Sequence, residues 1–149
     1  TGLGEEPGFR GFAIPQLQKH FSAITATWIL VLLGVIWHLP LIITGDSPVA
    51  IIPVIVGGYF VFTWLFNNTG GSVLIAMILH TAQAIVGPQI FATMFTGGDV
   101  ITYTWLMAGV YGVIVAIILI TSRNRYLIVQ SDEPLASIVD QTPARISQV

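Results

Sequence analysis

The chain has 149 residues, of which 54% are hydrophobic and 8% charged, and its mean hydropathy of +0.85 places it in the membrane class. Five Lys and Arg against seven Asp and Glu leave a net charge of −2, with no basic cluster of the kind that binds nucleic acid. Without cysteine there is neither a disulfide framework nor a thiolate metal site.

The first stretch, Gly4-Glu5-Glu6-Pro7-Gly8-Phe9-Arg10-Gly11-Phe12, sets two adjacent carboxylates and an arginine beside or inside a chain that is mostly hydrocarbon as far as Ile120. Ionisable groups in such a setting cost a few kcal/mol or more and are by default candidates for function. Glu6 and Arg10, four apart, share a helix face and can pair. Glu5 then points about 100° away, free for another task. Pro7 suits a first helical turn, where its missing N–H goes unneeded. The pattern predicts a short helix over about 4–20, with Phe9, Phe12, Ala13 and Leu17 on its apolar side, a kink or break at Pro15, and Lys19-His20 at a water interface. Because Thr1 rather than Met precedes this loaded segment, the chain reads as the C-terminal part of a longer protein with further helices upstream.

Four spans follow. The first, 22–44, carries no formal charge and holds His38 near its far end, with Pro40 expected to bend or end it. Gly45-Asp46-Ser47-Pro48 is a turn by composition. The second span, 49–66, is near the short limit for crossing hydrocarbon, and Pro53, Gly57 and Gly58 weaken its regularity. After the turn at Asn67–Gly71, Ser72 is a fair N-cap for the third span, 72–95, which carries His80 and Gln83 and is interrupted at Gly87-Pro88. The fourth, 100–121, is apolar all round, with Tyr103 and Trp105 near its start and Tyr126 past its end as interfacial aromatics. A polar tail, 122–149, completes the chain. The expected fold is an all-α, multi-span transmembrane bundle with a buried polar site, helix contacts being made at Gly34, Gly57, Gly71 and Ala84.

Four spans put Arg10, Lys19, Arg123 and Arg125 on one side and Asp46 and Asp99 on the other. The positive-inside rule makes the basic side cytoplasmic, so the tail is expected in the cytoplasm of a cell whose plasma membrane holds the bundle.

The polar groups available for chemistry are Glu5, Glu6, Arg10, His38, His80 and Gln83. Each has a structural alternative. Glu6 and Arg10 suit a helix-end salt bridge, His38 beside Trp37 suits an interfacial histidine, and His80 inside Val73–Leu79 suits a buried ring bonded to a carbonyl. Two histidines and two carboxylates in one small bundle are harder to explain together. Peptide hydrolysis needs an activated water and a group to hold the oxyanion. Neither a cysteine nor a serine in a nucleophile-elbow context is present to serve as nucleophile.

The combination resembles the CPBP intramembrane proteases, also called the CAAX protease and bacteriocin-processing (Abi) family. Glu5-Glu6-Pro7-Gly8-Phe9-Arg10 is similar to the EExxxR signature, Trp37-His38-Leu39-Pro40 to the second motif, and Gly70-Gly71-Ser72 through His80 to the third. The resemblance runs from about Leu3 to Val86 and implies a prokaryotic intramembrane endopeptidase. In it Glu5 with His38 positions and deprotonates water, His80 donates to the oxyanion, and Glu6 orients a histidine or pairs with Arg10. Its substrate would be a membrane-associated, hydrophobic or lipid-anchored peptide reached through membrane lipid. Two positions depart from the family pattern. Gly34 stands where FxxxH has its aromatic, and Ala84 where HxxxN has its asparagine, with Gln83 as a neighbouring amide. The chemistry is expected to need no cofactor; zinc held by Glu5, His38 and His80 is the alternative, although the spacing is not that of HExxH. Alternative functions are a catalytically weak member acting as membrane adaptor or bacteriocin-immunity protein, motivated by Ala84, and a transporter segment moving protons or ions.

Overall fold

The computed structural model describes residues 2–91 and 94–122, without the side chains of Pro88 and Gln89. The tail from Arg123, including Arg125 and Tyr126, lies outside the described residues, as does Thr1. Within them every regular element is helical: α1 (Gly2–Glu6), a π-helical segment (Pro7–Ala13), α2 (Ile14–Gln18), α3 (Ala23–Ile43), α4 (Ile51–Asn68), α5 (Val73–Ile85), a second π-helical segment (Val86–Phe91) and α6 (Asp99–Thr121).

The N-terminal helix differs from its expected form. It starts at Gly2 and runs without a break to Gln18, changing pitch rather than stopping. Across the wide turn, the N–H of Ile14 reaches back to the carbonyl of Phe9. Pro15 does not end it: the proline follows directly on the wide turn, where the backbone ladder has already shifted register. The apolar side differs too. Ile14 is fully buried, Phe9, Ala13 and Leu17 pack against the core, and Phe12 points outward at 68% exposure. Glu6 and Arg10 occupy the inner face instead, at 0% and 1% exposure. This helix is therefore a wall of the bundle and not a cap at its edge.

Three helices are long and apolar enough to cross a membrane: α3, α4 and α6. At 21 residues α3 spans about 31 Å, close to the hydrocarbon thickness. It carries on past Pro40 to Ile43, since the proline falls in the last turn and costs a single ladder bond. The third expected span is divided: α5 has only 13 residues and passes into the π segment at Val86, ahead of Pro88. Ser72 caps α5 through its hydroxyl, which accepts from the N–H of Ile75 at 3.4 Å. Ser22 does the same for α3, accepting from Thr25 N–H at 3.1 Å. Gly70 and Gly71, at φ of +65° and +77°, turn the chain between α4 and α5 through a conformation that side chains disfavour.

α4 is the central helix, and α3, α5 and α6 all pack on it. Glycines regarded as a weakness in its sequence are what allow close approach. A Cβ at Gly57 would stand 2.5 Å from Tyr111 Cβ of α6, and one at Gly34 of α3 would collide with the ring of Tyr59. The buried residues of α6, Thr104, Tyr111 and Ile118, recur at a heptad interval and form the stripe that meets α4. Most of the rest of α6 is exposed hydrocarbon, as a lipid-facing helix requires. Two polar contacts fasten the same end of the bundle: Gln18 Nε2 donates to Asn67 Oδ1 at 3.2 Å, and Trp64 Nε1 donates to Ser122 Oγ at 2.9 Å.

Candidate active site

The buried pair comes first. Arg10 Nη1 donates to Glu6 Oε1 at 3.1 Å, one helical turn away. Three aromatic rings surround the guanidinium: Tyr59, Phe62 and Phe9, with centroids 4.6, 5.3 and 5.9 Å from its Cζ. Arg10 is thus enclosed by the bundle and adds nothing to the charge of a loop. The basic bias used for orientation falls to Lys19 among the described residues.

α5 adds His80 to the same carboxylate. Its Nδ1–H donates to Glu6 Oε1 at 2.7 Å, and its ring stacks on Phe62 at a centroid distance of 5.1 Å. Close packing of α1 on α5 makes this contact possible, because Gly2 lies against His80 Cβ and Thr81 with no room for a side chain. A proton fixed on Nδ1 leaves Nε2 of the neutral ring as an acceptor, and Nε2 becomes a donor only as imidazolium. That Nε2 lies 3.9 Å from Glu5 Oε2. Glu5, unlike Glu6, is 20% exposed.

His38 is held by its own helix. Its Nδ1 donates to the carbonyl of Gly34 at 2.7 Å, which again leaves Nε2 as the free nitrogen. Glu5, Arg10, His38, His80 and Gln83 all line one cavity of about 250 Å³, so His38 faces the interior rather than lipid. Glu6 lies behind the wall, bonded to His80. Gln83 reaches the cavity, and its buried Oε1 has no hydrogen-bond partner among the described residues. Ala84 does not line it.

A zinc ion needs three or four donor atoms within about 2.0–2.3 Å of one point. Among the described residues no three His, Asp or Glu side chains come together in that way. Glu5, His38 and His80 as placed do not fit a tetrahedral zinc site.

The α4 wall of the cavity carries no motif and was not expected to contribute. Val54, Ile55, Gly58, Tyr59 and Phe62 supply most of its surface, with Ser47 and Ile51 toward the α3–α4 turn. One signal in the sequence points to it, a tyrosine in the middle of an apolar span three residues before a phenylalanine.

A membrane-embedded helical bundle with a glutamate–histidine cavity is the class of protein that fold and site define. The family model described as type II CAAX prenyl endopeptidase Rce1-like matches residues 1–86, which contain every side chain of the cavity. The chain belongs to that family and is an integral membrane protein. No curated protein and no solved structure matches it.

Proposed function

We propose that the chain is an intramembrane endopeptidase that hydrolyses a peptide bond of a membrane-associated protein or peptide with a glutamate-activated water. The observation that carries this reading is the gathering of Glu5, His38 and His80 around one cavity with apolar walls. Glu5 is the base, being the carboxylate that reaches the cavity while Glu6 is committed elsewhere. His38 Nε2 accepts a hydrogen bond from the water and helps to orient it. His80, as imidazolium, donates from Nε2 to the oxyanion. Glu6 holds His80 in orientation and neutralises Arg10. Hydrocarbon walls strengthen each of these contacts by lowering the local dielectric.

The reaction is metal-independent on this reading, supported by the misfit of the three residues to zinc. With the protein in liposomes and a library of peptides bearing hydrophobic or lipidated ends, wild type cleaves, and cleavage is lost in His38→Ala and His80→Ala. A chelator leaves the rate unchanged. Cleavage that survives His80→Ala overturns the assignment, and chelator inhibition reversed by zinc overturns the metal-independent part.

The bundle resides in a prokaryotic plasma membrane, with the tail at the cytoplasmic face. Lys19 supports this placement, because the Gln18–Asn67 and Trp64–Ser122 bonds set it at the same end of the bundle as the start of the tail. Ser47 and the adjoining end of the cavity then lie toward the opposite face. Alkaline phosphatase fused after Val149 is expected to be inactive in cells; an active fusion reverses the orientation.

A further inference from the structure

We propose that Tyr59 is a catalytic residue whose hydroxyl donates a hydrogen bond to the scissile carbonyl and to the oxyanion formed from it. The proposal rests on the proteolytic reading above, and three observations lead to it.

The first is an exchange of position. Gly34 stands where the family motif has an aromatic residue, and the phenol of Tyr59 occupies the space beside it, with Cε2, Cζ and the hydroxyl lying where a Cβ at 34 would go. Tyr59 thus brings a ring to that corner from α4, and with it a hydroxyl that phenylalanine lacks. The second is access. Tyr59 is 7% exposed and lines the cavity from α4, so its side chain is packed into the bundle and still borders the space where a substrate would lie. A substrate carbonyl arriving in the cavity would meet it there. The third is rigidity. Arg10 lies over the ring face at 4.6 Å, and Phe9 meets it edge-on at 5.6 Å and 70°. The Gly34 carbonyl beside the phenol also anchors His38 at 2.7 Å, so the hydroxyl and the water-orienting imidazole share one corner of the cavity.

The role is open to be filled. Ala84 replaces the motif's asparagine and carries no donor. In the reaction, the water oxygen bonds to the carbonyl carbon as its proton passes to Glu5, and the carbonyl π pair moves onto oxygen. Tyr59 O–H and His80 hydrogen-bond that oxygen, and Tyr59 keeps its proton throughout. Collapse re-forms the C=O bond, breaks the C–N bond and delivers the proton from Glu5 to the leaving amine.

Tyr59→Phe retains the ring and its contacts and removes the oxygen alone. In liposomes it is expected to lower kcat by about 10²-fold, the scale of one oxyanion donor, with KM and melting temperature little changed. A peptide phosphonate, tetrahedral and anionic, provides a readout that needs no turnover. Wild type should bind it more tightly than the product peptide, and Tyr59→Phe should lose that preference. If Tyr59→Phe cleaves like wild type, or loses rate but keeps the phosphonate preference, the proposal is wrong, while a Glu5→Gln variant that is still inactive leaves the protease reading standing. A wild type that neither cleaves nor prefers the phosphonate removes both.

Discussion

Glu5→Gln is expected to abolish measurable cleavage while the protein stays folded. Loss of a general base costs about 10²–10⁴ in rate, and glutamine keeps the shape of the side chain while removing its basicity. Stability should be nearly unaffected. The nearest ionisable contact of the Glu5 carboxylate is His80 Nε2 at 3.9 Å, beyond hydrogen-bond distance, and its head reaches the cavity. The structural alternative, a charge that pins a helix end, makes the opposite forecast of a lower melting temperature with kcat intact. Single-turnover cleavage and thermal unfolding in the same detergent separate the two, and unchanged kcat would falsify the assignment of Glu5 as base.

Glu6→Ala is expected to damage both stability and activity, for different reasons. Arg10, 1% exposed, would be left as a buried cation with its carboxylate gone, and breaking such a pair costs about 3–5 kcal/mol. His80 would lose the acceptor that holds its ring, an orienting contact of a kind worth about 10–100-fold in activity. A second change distinguishes the effects. In Glu6→Ala/Arg10→Leu the buried charge is gone and an apolar side chain meets the rings of Tyr59 and Phe62, so much of the melting temperature should return. Activity should not, because His80 is still unsupported. Recovery of both together would reduce Glu6 to a structural ion pair.

These two carboxylates show where sequence reading succeeds and where it stops. The spacing of Glu6 and Arg10 made their pairing legible, because residues four apart on any helix are neighbours. It also gave Glu5 a different direction from Glu6. It did not say which carboxylate would be buried, since that depends on which face α5 covers. The wide turn through Pro7–Ala13 also lay beyond periodicity, which assumes one pitch along a helix. The expected break at Pro15 failed for a related reason: the ladder changes pitch just before the proline, and the helix passes it without stopping.

The sequence by itself determined the membrane class, the all-helical architecture, the turns at Gly45 and Gly70-Gly71, the Ser72 cap and the side chains with chemical potential. These follow from hydrocarbon content and from contacts within a few residues, where the geometry of a helix fixes neighbours in advance. Only the tertiary structure decided that Phe12 faces outward, that His80 bonds Glu6 while His38 bonds its own helix, and that Tyr59 fills the space at Gly34. Each of these depends on which helices lie side by side and in what rotation. The pattern of apolar and polar residues carries little of that information when nearly every residue of a span is apolar, so no face is marked as the inner one. It is the close contacts of Gly2, Gly34 and Gly57 that set the packing and, with it, the cavity.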